Sequence, residues 1–225
     1  MAEIGLFEAM YSARSLRRYK PDPIPDEVMT KVLEAATRAP SGSNQQNWIF
    51  VVVKDAEKRR KISEIYQRAA GILQKMYANR GRPAHMTEKE YNTLFKSASY
   101  LFEHMEDAPV LLFPCLKTVG FGPQEKLPDD VVKKMSVLSR AAGASIYPAV
   151  QNIILACRAF GLGTVLTTIH LFFEDEVRAL LGIPSDVLTY ALMPIGYPIN
   201  KFGPVKRKPV SEVAFVDSYG NAWKG

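Results

Sequence analysis

Six consecutive residues, Trp48-Ile49-Phe50-Val51-Val52-Val53, form an apolar run in which every side chain is β-branched or aromatic. A run this short, with no polar alternation, reads as a strand buried on both faces rather than as a helix. Such a strand needs cover on both sides, so the rest of the chain must supply layers of helix around a sheet. The remaining sequence has that pattern. Residues 110–116 and 187–197 are further apolar strand candidates, and 165–168 is a short one. Between them lie segments of helical period.

A helix is expected over residues 3–18, with Ile4, Leu6, Phe7, Met10 and Tyr11 turned to a core. Pro21, Pro23 and Pro25 end it, and Asp26 is placed to cap a second helix whose Val28, Met29, Val32, Leu33 and Ala36 share one face. That helix must stop before Pro40. Residues 56–106 read as largely helical, interrupted at Gly81-Arg82-Pro83, and 120–130 as a flexible loop. Residues 146–160 form the clearest helix, stopped by Gly161, and 173–181 a shorter one. The 225 residues suffice for one domain, and no linker divides them. The aromatic tail over 213–225 has little nearby to pack on, which fits wrapping a partner subunit.

The net charge of +6 is concentrated at Arg14/Arg17/Arg18/Lys20, Lys58/Arg59/Arg60/Lys61 and Lys206/Arg207/Lys208. No long basic helical stripe, zinc-finger or RNP-like pattern accompanies it, so nucleic acid is not the expected partner. No apolar run reaches the length of a bilayer span, and the acidic N-terminus lacks the apolar core of a signal peptide. Cys115 and Cys157 lie in apolar segments and read as buried free thiols, which suits a cytoplasmic protein. His85, His104 and His170 are isolated, without metal-ligand spacing, and are expected at the surface or lightly packed. Phosphate-loop, dinucleotide and serine-hydrolase signatures are missing. Gly161-Leu162-Gly163 lacks a third glycine and follows a helix rather than a strand. A bound organic cofactor is then the natural carrier of any chemistry.

Two polar stretches stand out. Arg14, Ser15 and Arg17, if helical, place two guanidiniums and a hydroxyl within one turn, a donor set suited to phosphate. Arg207, followed by Pro209, could close on the same group from the far end of the chain. Residues 39–47, Ala-Pro-Ser-Gly-Ser-Asn-Gln-Gln-Asn, form a turn-prone loop that feeds the Trp48 strand. Taken alone, these charges also suit a solvated surface, Asn44 suits an Asx-turn, and Trp48 suits the core.

The joint order of motifs resembles the FMN-dependent nitroreductase-like family. Ala13-Arg14-Ser15-Leu16-Arg17-Arg18-Tyr19 precedes a proline-rich stretch, and Ala39-Pro40-Ser41, Asn44, Gln46, Trp48 and Phe50 follow. Gln151-Asn152 with Leu155-Ala156, then G-L-G-T-V-L-T-T over 161–168, I-G-Y-P over 195–198 and R-K-P-V over 207–210 complete the order. The resemblance implies an α+β fold (an α/β sandwich) with a central, mostly antiparallel sheet flanked by helices, in an intertwined homodimer. One FMN-binding domain would span 1–225, with 66–135 as a helical lid excursion. It implies that Arg14, Ser15, Leu16, Arg17 and Arg207 bind the phosphate and ribityl chain. Pro40 and Ser41 would lie against the flavin ring from the neighbouring subunit, Asn44 would hydrogen-bond the ring or ribityl chain, and Gln46 would also bind the cofactor. Leu166, Thr167 and Thr168 would line the ring, and Thr168 near N5 is the candidate catalytic residue. The implied activity is ping-pong transfer of electrons from NAD(P)H to nitroaromatic, quinone or related small-molecule acceptors. Reductive dehalogenation, flavin fragmentation and non-catalytic flavin binding are the alternatives. Ala13 stands where the family has a first arginine, and Asn47 where it has a proline.

Overall fold

A computed structural model describes residues 4–77, 81–118 and 139–224. The expected loop over 120–130 lies outside them. The helices of more than one turn are α1 (Leu6–Ser12), α2 (Asp26–Ala36), α3 (Ala56–Tyr77), α4 (Glu88–Glu103), α5 (Tyr147–Ala159) and α6 (Glu174–Leu181). The strands are β1 (Trp48–Val53), β2 (Val110–Lys117), β3 (Gly163–Thr164), β4 (Val187–Thr189) and β5 (Met193–Gly196). All strand pairs are antiparallel. The order is β1-β2-β5-β3, with β4 continuing the β5 side of β2. The expected α+β sandwich is what the chain forms.

β2 explains the layering. Strand side chains alternate between faces. Val110, Leu112 and Leu116 join a core with α2 and α5, while Leu111, Phe113 and Cys115 join a second core under α3. Pro114 sits mid-strand, where a missing N–H normally breaks a ladder. Its carbonyl accepts from Tyr190 N–H at 2.9 Å, so its nitrogen points the same way, into the junction between β4 and β5. The ladder to β1 is untouched. In β1, Trp48, Phe50 and Val52 serve one core and Val51 and Val53 the other, as the apolar run predicts. Ile49 is the departure, exposed where β1 lacks a strand on its outer side among the described residues.

Three expectations are corrected. The first helix is only seven residues long, and of its apolar residues Ala9 alone is buried; Leu6, Phe7, Met10 and Tyr11 face outward. Beyond Ala13 the chain is extended because the sheet edge takes it. Leu16 N–H donates to Thr164 O at 3.2 Å, and Tyr19 bridges Pro198. The 187–197 run divides into β4 and β5 around Tyr190-Ala191. The 165–168 strand is instead β3, one step earlier, plus a bridge from Thr167 to Leu192. Among the described residues no helix is long and apolar enough to cross a membrane.

Candidate functional site

The extended course of residues 14–19 sets which side chains reach solvent. Leu16 and Tyr19 turn inward and are buried. Leu16 packs on Gly163, where an added Cβ would stand 3.1 Å from the Leu16 Cβ and 3.0 Å from the Pro198 Cβ. The Tyr19 hydroxyl donates to Leu16 O at 2.5 Å, fixing the turn of backbone between the arginines. Lys20 N–H donates to Tyr197 O and Ile199 N–H to Arg18 O, so the segment is held against residues 197–199.

Arg14, Ser15 and Arg17 line one cavity of about 350 Å³, although not from one helical turn as the sequence suggested. Its other wall is α4, with Lys89, Glu90, Thr93, Leu94 and Ser97. Arg17 Nη1 donates to Ser97 Oγ at 3.2 Å. Burial lowers the Arg17 pKa, opposed by the Tyr19 and Tyr66 phenols nearby. A guanidinium with five donors, partly stripped of water and bonded to a single hydroxyl among the described residues, is a site for an anion. Arg18 does not join it. Its guanidinium lies 4.0 Å from the centre of the Tyr100 ring, so it does not replace the donor lost at Ala13.

At the far end of the chain, Arg207 and Lys206 make different contacts. Arg207 is exposed, donates to Lys206 O at 2.8 Å, and is not part of the cavity wall. Lys206 is the basic residue that reaches the rim, with its Nζ 2.5 Å from Glu90 Oε1. The Lys206 bond, followed by bonds from Thr87, pulls the Glu90 carboxyl down to about 2. Thr87 and Glu90 also form a capping box that starts α4 there.

Leu166, Thr167 and Thr168 follow β3. Leu166 is at the surface, and Thr167 exchanges backbone bonds with Leu192. The Thr167 hydroxyl lies 2.9 Å from the Tyr66 hydroxyl. Tyr66 therefore links α3, Thr167 and Arg17, and sequence reasoning did not single it out. Its only signal was its place on the buried Ile62/Tyr66/Ala70 face of α3. Thr168 caps the short 3-10 helix Ile169–Phe173, its carbonyl accepting from Leu171 N–H.

His170, expected at the surface or lightly packed, is fully buried. Thr189 N–H and Oγ1 both lie 2.7 Å from Glu174 Oε1. The Thr189 hydroxyl thus donates to the carboxylate and must accept from His170 Nε2, 3.1 Å away. The imidazole is the Nε2–H tautomer, its Nδ1 has no partner among the described residues, and burial lowers its pKa to about 4.

The 39–47 loop is built apart from the arginine cavity. Ser43, Asn44 and Gln46 all have φ near +50°, a costly choice for Ser and Gln. Ser41 Oγ accepts from Gln46 N–H at 3.0 Å, and Gln46 Nε2 donates to Asn44 Oδ1 at 3.3 Å. Ser145 anchors the whole: its Oγ accepts from Gly42 N–H and its carbonyl from the Trp48 indole. Pro40, Asn44 and Gln46 are exposed, and Ser41 half-buried. Among the described residues no hydrogen bond joins this loop to residues 14–17.

The fold and an anion cavity of this kind define a class, and comparison with known proteins places the chain within it. The Nitroreductase family model matches residues 10–197, and the chain belongs to that family. It is an enzyme family of flavin oxidoreductases. Rat iodotyrosine deiodinase 1 is 33% identical over 92% of this chain and 67% of its own length. The NADH dehydrogenase of Thermus thermophilus is 31% identical over 91% of this chain and 92% of its own. Among solved structures, a BluB-like flavoprotein from Clostridium difficile superposes with a TM-score of 0.69 at 26% identity, covering 94% of this chain and 98% of its own. An iodotyrosine deiodinase bound to FMN and 3-iodo-L-tyrosine superposes with a TM-score of 0.69 at 24% identity, covering 96% of this chain and 100% of its own.

Proposed function

We propose that the protein is an FMN-dependent oxidoreductase that draws electrons from NAD(P)H and delivers them to a small electrophilic acceptor. The observation that carries the reading is the convergence of Arg14, Ser15 and the partly desolvated Arg17 on one cavity. That donor set fits a phosphomonoester, with planar guanidinium forks matching its oxygens. Lys206 would add charge through the rim, and Arg207 would reach the same phosphate only by leaving its contact with Lys206. When bound, FMN supplies two-electron chemistry that no side chain of the protein has.

The protein's own part is to hold and position. Arg17 balances charge on the cofactor. Tyr66 fixes Thr167, and with it the backbone of Thr168, which stays the candidate closest to the reacting edge. Pro40, Ser41, Asn44 and Gln46 lie on a separate, strained loop, which suits the resemblance in which Pro40 and Ser41 serve a neighbouring subunit's cofactor. The exposed α1 face of Leu6, Phe7, Met10 and Tyr11, with Phe215, Tyr219 and Trp223 in the tail, supplies apolar surface for such a homodimer. The domain is read as spanning 1–225, with 66–135 as the excursion over the site; residues 78–80 and 119–135 of it lie outside those described. Similarity to iodotyrosine deiodinase keeps reductive dehalogenation as a second reading.

The test is heat release of any chromophore from purified protein. Equimolar FMN is expected. Arg17→Ala is expected to weaken FMN binding by about 100-fold, consistent with losing a bidentate charged contact worth roughly 1.5–3 kcal/mol. A colourless protein that binds no added FMN overturns the reading.

A further inference from the structure

The backbone around Thr168 is clamped by the turn that joins β4 to β5. Thr167 exchanges both backbone bonds with Leu192, donating to its carbonyl at 3.0 Å and accepting from its N–H at 2.8 Å. On the other side of Thr168, His170 Nε2 meets the Thr189 hydroxyl at 3.1 Å, and Glu174 accepts from the Thr189 N–H and hydroxyl at 2.7 Å each. The turn is itself anchored, because Tyr190 N–H donates to Pro114 O in β2 at 2.9 Å. Thr168 is half-buried between the first two of these ties, and its own hydroxyl makes no capping bond.

Histidine is a costly choice for this place. The ring is fully buried, edge-on to Phe113 with centroids 5.6 Å apart, where an aliphatic side chain would pack without any polar atom. Its Nδ1 has no partner among the described residues, so part of the cost is unmet. What the imidazole adds over an aliphatic side chain is the directed bond to Thr189. Glu174 sets the direction of that bond: with the Thr189 proton committed to the carboxylate, the Thr189 oxygen can only accept from Nε2–H. Without it, Thr168 would keep its tie through Thr167, but the next side-chain tie on its other side would be Glu174, six residues on.

We infer that His170 is a positioning residue which, through Thr189, holds Thr168 in place against the reacting edge of the cofactor. The role at the cofactor rests on the FMN reading, whereas the clamp does not.

Hydrogen exchange tests the clamp on flavin-free protein. The Leu171 amide donates to Thr168 O at 3.1 Å and reports on that backbone. In His170→Leu, and in Thr189→Val, which removes the hydroxyl with little change of shape, it should exchange about ten-fold faster or more. His170→Gln carries an amide nitrogen as many bonds from Cβ as Nε2 and should restore protection. The double variant His170→Leu/Thr189→Val should exchange no faster than either single one, since both break the same bond. Melting curves will confirm folding, and if His170→Leu does not fold, Thr189→Val and His170→Gln decide. In FMN-loaded protein, the two breaking variants should shift the cofactor's midpoint potential by about 30 mV or more, a ten-fold change in the relative affinity for oxidised and reduced cofactor. Affinity for oxidised FMN, held by the separate arginine cavity, should change by less than about three-fold. Wild-type exchange in both breaking variants, or fast exchange in His170→Gln as well, overturns the clamp. Loosened exchange with an unmoved potential overturns the role at the cofactor. Failure to bind FMN overturns the cofactor reading and that role with it, while the exchange rates still decide the clamp.

Discussion

Burial raises the pKa of both Cys115 and Cys157 to about 12, and neither is disulfide-bonded. Their thiols should not react with a thiol-specific disulfide reagent in native protein at pH 8, and both should react after denaturation. Rapid native labelling would contradict the packing. His170 makes stability depend on pH. Its native pKa near 4 lies below an ordinary value of about 6.5, so the unfolded chain takes up a proton that the native state refuses between those limits. Stability should fall as pH drops from about 6.5, by about 3 kcal/mol from this residue at pH 4, and be unaffected by it above pH 7. Denaturation of His170→Leu across that range should show a correspondingly flatter acid slope. The sequence marked Arg14, Ser15 and Arg17 because residue type alone announces an anion donor. It did not mark Tyr66 or Ser97, and it noted Lys206 only as part of a basic cluster, because their contacts come from which helix or strand lies opposite them. Arg207 and Lys206 show the same limit: as neighbours in sequence their side chains make different contacts, Lys206 with Glu90 and Arg207 with the Lys206 carbonyl.

At the level of elements, the β-rich runs and the helix over 147–159 were legible because burial imposes a period on sequence. The first helix shows the limit of that signal. Its apolar positions follow helical spacing, but spacing says nothing of whether the covering surface belongs to the same chain. The joins between elements rest on small residues. A Cβ on Gly196 would lie 2.7 Å from the Pro109 Cδ and 3.0 Å from the Tyr19 Cβ, so Gly196→Ala should cost about 1–3 kcal/mol in chemical denaturation. Gly163→Ala presses on Leu16 between the arginines. It should weaken FMN binding more than it lowers stability, which titration and denaturation of the same protein will separate.

For the whole molecule, the exposed apolar groups of α1 and of the tail carry the homodimer reading. Phe7 and Tyr11 are each 66% exposed, with their rings 6.1 Å apart. The double variant Phe7→Glu/Tyr11→Glu should sediment as a monomer and lose FMN, whereas the parent sediments as a dimer; a monomeric parent with full FMN would end that reading. The backbone bonds that hold residues 18–20 to 197–199 also carry a consequence for biosynthesis. The arginine segment is translated well before its sheet partners, Thr164 and residues 197–199. Until those partners have been made the cradle has no floor, and FMN capture is expected only after residue 199 has emerged. A nascent chain stalled before residue 163 should therefore be flavin-free, however well its early helices have formed.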